Sequence, residues 1–390
     1  MKICVVTTVF PRWVGDGEGA FIWQFVRALA QAGIDLRVVA MHSPGTATHE
    51  YFDNIEIVRP PYWWPQRAEM LRKDGGGLPI NWRKYRLARI QTLPFALIHT
   101  LTASRFARGC DLIHAHFTLS AAAACVGRQI HHCPVIATVQ GSDIYQVPQY
   151  PGGDWFTRTT LNACNHVTAL SRSLQDTTVA LGVPRDKINV IPNSIDTTQF
   201  TPPTNETREN IILFTGWLIK RKGVEYLLRA LPAVLQACPD YRLVVIGEGP
   251  EETDLKQLTT HLAIQKQVTF VGFLPQEGVR AWLQRAKLFV LPSLEEGLGV
   301  VVLEALACGT PVVASNVGGI VDMVTAAVGA LVPATDAPAL AAAMIQILAN
   351  EQDWATMSIN ARQHAVANFS GPQIAKQYIE LYDSVLTSGA

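Results

Sequence analysis

Residues 291–309, LPSLEEGLGVVVLEALACG, combine carboxylates and glycines with an otherwise apolar run. The pattern predicts a strand ending at Pro292, a loop, and a helix that begins near Gly299 and stops at Gly309. Gly297 and Gly299 would let backbone amides come close to a phosphate, and a helix N-terminus adds partial positive charge there. Glu304 stands among Val301, Val302, Leu303, Ala305 and Leu306. A carboxylate in such surroundings needs hydrogen-bond donors, and a ribose diol supplies two. The plainer alternative is a glutamate facing solvent from a surface helix.

Other candidate groups sit at the ends of strands. Residues 216–223, GWLIKRKG, place Lys220, Arg221 and Lys222 directly after one; taken alone, this is a solvated turn or a phosphate site. Gly247-Glu248-Gly249 and Gly272-Phe273-Leu274 each follow a strand. Glycines 15, 17 and 19 precede a helix beginning at Phe21 and are at least turn formers. Gln140, Gly141, Ser142 and Asp143 close the strand 135–139. His114 and His116 alternate on a strand and share a face, as two metal ligands would. No nearby Cys or His completes a set and no Asp-x-Asp pair exists, so no metal is expected.

The elements that must position these groups alternate regularly. Strands are expected at 3–9, 36–40, 112–116, 135–139, 166–170 and 188–191, with a helix at 21–32 and others between the strands. A polar stretch with Pro192, Pro202, Pro203 and Asn205 reads as a linker. Alternation restarts with strands at 211–215, 242–246, 268–271, 288–291 and 311–314, and helices at 224–237 and 300–308. The expected fold is α/β: two Rossmann-like, doubly wound domains, 1–200 and 201–370, facing a central cleft, with a final helix at about 371–390 packing back on the first. A chain of 390 residues suits two such cores.

Composition narrows the partners. The net charge is zero, split as about +5 in residues 1–200 and −5 in 201–390, which does not suit nucleic acid. Seven scattered cysteines suit a reducing compartment. The first residues lack a signal-peptide pattern and no apolar run is long enough to span a bilayer, so a soluble cytoplasmic protein is expected. Residues 59–108 interrupt the alternation with ten Lys/Arg, only Glu69 and Asp74 as acids, and Trp63, Trp64, Trp82, Tyr85 and Phe95. Glycines 75–77 suggest a mobile loop within it. The segment suits an anionic membrane surface, giving peripheral attachment at the inner face, or guidance of a pyrophosphate-linked acceptor, or a solvated insertion with aromatic residues in the core.

Glu296, seven residues, then Glu304, within EGLGVVVLEALACGTPVV, resembles the signature of family 4 retaining glycosyltransferases. The resemblance extends over nearly the whole chain and is densest over 211–324. It implies the GT-B fold, a nucleotide diphosphate sugar as donor, and no cofactor. It further implies that Glu304 binds the donor ribose and Glu296 the transferred sugar, with amides of Gly297, Leu298, Gly299 and Val300 on sugar or diphosphate. In similar enzymes 216–223 reads Gly-Arg, four residues, Lys-Gly; Gly216, Lys222 and Gly223 match, and Lys222 would hold the diphosphate. Trp217 stands in the arginine position, so Arg221 or Lys220 substitutes, or the leaving group is held less tightly. Gly247 matches a Gly-x-Gly turn. Gly272, Phe273 and Leu274 match the loop that reads the base through backbone groups, and Gly19 the glycine near the donor phosphate. His116, Ser142 and Asp143 would line the cleft on the acceptor side. Gln140, where many relatives carry His, can bind a hydroxyl but offers no useful proton chemistry. Ser171, Asn193 and Asp196 match family positions, and Ser194 stands where Gly is common.

The chemistry implied is transfer of a hexose-type sugar with retention, by same-face attack, to a lipid-linked or polysaccharide-precursor glycan. Lys222 and Glu296 would be the catalytic pair, the first meeting leaving-group charge and the second positioning the sugar. Domain closure would exclude water. Other readings remain open: another GT-B enzyme of epimerase or phosphorylase type, or a non-catalytic nucleotide-sugar-binding scaffold.

Overall fold

The computed structural model describes residues 1–13, 16–73, 78–204 and 208–388. Gly15, glycines 75–77 with their expected mobile loop, and Asn205 of the expected linker lie outside the described residues. The chain divides into two α/β units, Met1–Ser194 with Gly371–Ala390, and Ile195–Ser370.

The first unit carries β1 (Lys2–Thr7), β2 (Asp35–Ala40), β3 (His49–Phe52), β4 (Ile55–Val58), β5 (Leu112–His116), β6 (Val135–Val139), β7 (His166–Ala169) and β8 (Ile188–Val190). Their order is β3-β4-β2-β1-β5-β6-β7-β8. All neighbours are parallel except the antiparallel pair β3–β4. Every residue of β5 and β6 is buried, as a parallel sheet with helices on both faces requires. The short edge pair β3–β4 was not legible in the alternation; its outer strand is HEYF, half polar.

Helix Gly371–Ser388 packs on helix Ala20–Gln31, burying Ile374, Tyr378, Leu381 and Tyr382 among Ile22, Phe25, Val26 and Leu29. Tyr382 Oη lies 2.6 Å from His114 Nδ1, and Thr138 Oγ1 lies 2.6 Å from His114 Nε2. Both ring nitrogens of His114 are therefore satisfied within the core, which is what a ring inside an apolar sheet face needs. Burial holds its pKa well below the usual histidine value.

Two of the ten cations in 59–108 belong to the interior, not to a solvated surface. Arg59 donates to the Pro11 carbonyl at 2.7 Å and pairs with Glu50, while Arg72 donates to the Phe10 carbonyl at 3.0 Å and pairs with Glu18 at 2.9 Å. Together they fix the turn after β1. Phe95 is likewise buried, in a small core with Met41, Tyr62 and Leu71. The segment continues as helices Leu78–Lys84 and Arg86–Phe106. The second runs through Pro94, a residue that usually ends a helix.

The second unit carries β9 (Glu209–Thr215), β10 (Arg242–Ile246), β11 (Val268–Gly272), β12 (Ala286–Leu291), β13 (Val312–Ser315) and β14 (Gly329–Val332). The sheet is parallel, in the order β11-β10-β9-β12-β13-β14. The short edge strand β14 was also not anticipated.

The C-terminal helix is an integral part of the first core. Tyr382→Ala is expected to lower stability by about 3–5 kcal/mol, as for truncation of a buried aromatic, measured by urea unfolding of the full chain.

Candidate active site

From β9 the chain of the second unit proceeds outward to β10 and β11, then returns to β12 on the other side of β9. The carboxyl ends of β9 and β12 thus flank a topological switch point, where open α/β sheets leave a crevice. Residues 216–223 and 292–299 emerge there and interlock through the backbone. Leu294 N–H donates to the Arg221 carbonyl at 2.7 Å. A Cβ at Gly223, whose φ is 64°, would lie 2.0 Å from the Pro292 carbonyl oxygen. Gly318, after β13, closes the third side: a Cβ there would meet the Glu296 carbonyl oxygen at 1.8 Å. The glycine pair 318–319 after a strand was the available signal for this contact, and the sequence reading missed it.

The interlock brings Lys222 to Glu296. Lys222 Nζ donates to Glu296 Oε1 at 2.5 Å, and Ser293 Oγ donates to the same oxygen at 2.8 Å. Both partners of the ion pair are largely buried, whereas Glu295 next door is exposed. Ser293 is the second residue that sequence reasoning passed over; nothing in the spacing marks it. Lys220, Arg221 and Trp217 are all exposed, and of the three adjacent cations it is Lys222 that turns to Glu296.

Helix Val300–Ala307 starts at Gly299, with φ 84° and no acidic residue in the first turn, so its positive end is not offset locally. The Leu298 side chain is buried, leaving its backbone as the part that can face a ligand. Glu304 lies one turn into the helix, half-buried, and its Oε1 accepts a hydrogen bond from Gln276 Nε2 at 3.2 Å. Burial pushes the Glu304 pKa up to about 7, with the Gln276 contact opposing the rise. Glu296 has a cation; Glu304 has one neutral amide. That leaves Glu304 able to accept further donors, as a diol would provide.

The neighbouring loops stack edge to edge. Gly216 N–H donates to the Ile246 carbonyl at 3.0 Å, and Gly247 N–H to the Gly272 carbonyl at 2.8 Å. A Cβ at Gly247, φ 129°, would lie 2.0 Å from the Gly216 carbonyl oxygen. Phe273 is exposed, Leu274 half-buried, and the Phe273 N–H donates to Glu248 Oε1 at 3.3 Å.

In the first unit, Gly19 has φ 83°, and its Cβ would lie 2.9 Å from the backbone of Phe10. The close approach there is to the protein's own chain. His116 is buried with its pKa lowered to about 3 by desolvation, and its Nδ1 lies 2.9 Å from Gln140 Nε2. With Nδ1 accepting from that amide, the neutral ring carries its proton on Nε2, a donor that has no hydrogen-bond partner among the described residues. Asp143 is a fastener: it accepts from the amides of Gln140 at 2.9 Å, Gly141 at 3.0 Å and Thr118 at 3.2 Å. Burial raises its pKa to about 6 against those bonds. Ser142 and Asp143 also border a cavity of about 380 Å³ walled by Trp82, Phe117, Tyr150 and Phe156.

A model described as Glycosyl transferases group 1 matches residues 196–364, and one described as Glycosyltransferase Family 4 matches 15–199. The chain is 31% identical to Bacillus subtilis TuaC, named as a glycosyltransferase of teichuronic acid biosynthesis, over 91% of this chain and 90% of that one. It is 29% identical to the N-acetyl-alpha-D-glucosaminyl L-malate synthase of Bacillus anthracis over 71% of this chain and 75% of that one. In fold it is similar to sucrose-phosphate synthase from Thermosynechococcus elongatus, with TM-score 0.80, 24% identity and full coverage of both chains. It is also similar to Anabaena HepE in complex with UDP-glucose, with TM-score 0.72, 19% identity, and coverage of 98% of this chain and 100% of that one. The chain belongs to the family 4 glycosyltransferases and has the two α/β units of the GT-B fold.

A carboxylate whose pKa is raised by desolvation destabilises the unit that holds it in its ionised form. Above pH 7 Glu304 is ionised in both folded and unfolded chains, so the penalty is fully present; below about 4.5 it is protonated in both, and the penalty is gone. Glu304→Gln is therefore expected to raise stability at pH 8 by roughly 1 kcal/mol, a Tm increase of about 2–4 °C. The gain should fade as pH falls through the interval from 7 to 4.5, read by thermal melting across pH.

Proposed function

We propose that this family member transfers a hexose-type sugar from a nucleotide diphosphate donor, with retention and without a metal ion, to a lipid-linked or polysaccharide-precursor glycan. The observation that carries the donor side is the convergence of Lys222 and Ser293 on Glu296, beside a glycine-started helix whose Glu304, bonded by Gln276, can accept further donors. The donor's ribose diol would supply those donors to Glu304. Its pyrophosphate would take the Lys222 ammonium away from Glu296 and rest against the amides of Gly297, Leu298, Gly299 and Val300. Glu296, freed from the lysine, would accept hydroxyls of the sugar. The loops at Gly216, Gly223 and Gly247 would let the backbone approach the nucleotide, and residues 272–274 would meet the base.

In the reaction, the bond from the anomeric carbon to the phosphate oxygen breaks and its electron pair leaves with the nucleoside diphosphate. Lys222 and the helix start meet the charge that grows there, in a largely buried setting where it counts most. The acceptor oxygen bonds to the anomeric carbon on the same face, and its proton passes to a phosphate oxygen of the departing group. That positive charge stands in for a metal ion in this proposal. On the acceptor side, His116 and Gln140 would bind hydroxyls and Ser142 the rim of the adjoining cavity. The relative named for teichuronic acid biosynthesis supports a glycan acceptor.

Purified protein screened with UDP-, GDP- and ADP-sugars is expected to transfer or slowly hydrolyse one of them, and to keep that activity in EDTA. A scaffold would do neither. Lys222→Ala should lower kcat/KM by roughly 10²-fold or more, and Glu304→Ala should weaken nucleotide binding. Unchanged nucleotide affinity in both variants would remove the donor site from this corner. The product's anomeric configuration, read by NMR, should equal the donor's.

A further inference from the structure

We infer that the outward face of helix Arg86–Phe106 is the surface on which the protein lies against an anionic bilayer. The helix has a buried face and, opposite it, an exposed aliphatic stripe. Ala88, Gln91, Phe95, His99 and Ala103 are buried against the unit. On the other side Ile90, Leu93, Leu97 and Leu101, spaced along one face, are 63, 68, 58 and 47% exposed. A helix flank bathed only in water normally shows mixed charge. Here every exposed residue from 83 to 108 is either one of those aliphatics or a cation: Arg83, Lys84, Arg86, Arg89, Arg105 and Arg108. No acid occurs between Asp74 and Asp111.

Apolar side chains flanked by cations alone match a surface that is apolar within and negative at its boundary. A second copy of the same face is a poor occupant, because a self-complementary pairing would gather like charges around the seam. The same segment also serves an apolar cavity. Leu78 and Trp82 of the preceding helix and Thr92 of this one line the 380 Å³ pocket, and the Arg89 and Arg83 guanidinium groups lie 5.3 and 4.8 Å from the rings of Trp82 and Tyr150 at its wall. Among the described residues no helix is long and apolar enough to cross a membrane, so the contact is lateral. The inference goes beyond the transfer reaction and does not depend on it.

Flotation of the full chain with vesicles tests it. The wild-type chain is expected to float with phosphatidylcholine–phosphatidylglycerol vesicles at low salt, to be released as salt rises, and to stay behind with phosphatidylcholine alone. L93E/L97E should lower the floated fraction about tenfold or more. R86E/R105E, which leaves the apolar stripe intact, should do likewise. Both variants are expected to melt close to wild type, since all four side chains are exposed. Absence of binding, equal binding to both vesicle types, or unchanged flotation of both variants overturns the inference. So does a wild-type dimer in light scattering that L93E/L97E dissolves, because a second copy would then cover this face. A chain that transfers sugar yet ignores vesicles loses this inference and keeps the reaction.

Discussion

Two backbone segments from the carboxyl ends of β9 and β12 touch at the switch point of the second sheet, and glycine at 223 is the condition for that touch. Any side chain there would drive into the Pro292 carbonyl. Because the segments touch, Leu294 can bond Arg221, Lys222 can reach Glu296, and Ser293 can share the same carboxylate oxygen. Gly318 holds the far side of Glu296 by the same kind of contact. The charged groups of the site are therefore positioned by backbone packing, which side-chain rotation cannot undo.

The two glutamates of the site occupy opposite electrostatic states. Glu296 is buried and has a cation and a hydroxyl; removing either would leave a carboxylate short of partners in a dry environment. Glu304, half-buried, has the weaker partner: the neutral amide of Gln276 donates to it, and burial raises its pKa to about 7. A fold selected for stability alone would place an apolar residue or a glutamine there. A carboxylate whose pKa is raised on an otherwise apolar helix is the kind of local conflict that marks a ligand site.

The first unit treats its polar groups differently. Asp143 spends both oxygens on its own loops, His114 is satisfied by Tyr382 and Thr138, and Arg59 and Arg72 hold the turn after β1. Buried polar atoms left without a hydrogen-bond partner among the described residues include His42 Nε2, both ring nitrogens of His99 and, at the end of β5, His116 Nε2. The cations of 59–108 divide by the same logic: those near carbonyls and acids of the β1 turn are interior, and those of the long helix, with no acid near in sequence, remain outside.

The sequence by itself determined the parallel α/β alternation, the restart in the second half, and the coincidence of glycines and carboxylates at strand ends. These are local signals: apolar runs set strands, glycine stops helices, and Glu296 and Glu304 lie within one loop-and-helix segment. The run of Lys220, Arg221 and Lys222 read alone left open which cation turns inward, and only the family resemblance pointed to Lys222, because the choice depends on Glu296, 74 residues away. Nor could the sequence mark Ser293, Gln276 or Gly318, whose parts follow from contacts across strands. The long helix through Pro94 was hidden for a further reason. Its inward face mixes Gln91 and His99 with Phe95 while its outward face carries Leu93 and Leu97, which erases the one-sided pattern by which an amphipathic helix is recognised, and packing settled which face went inside.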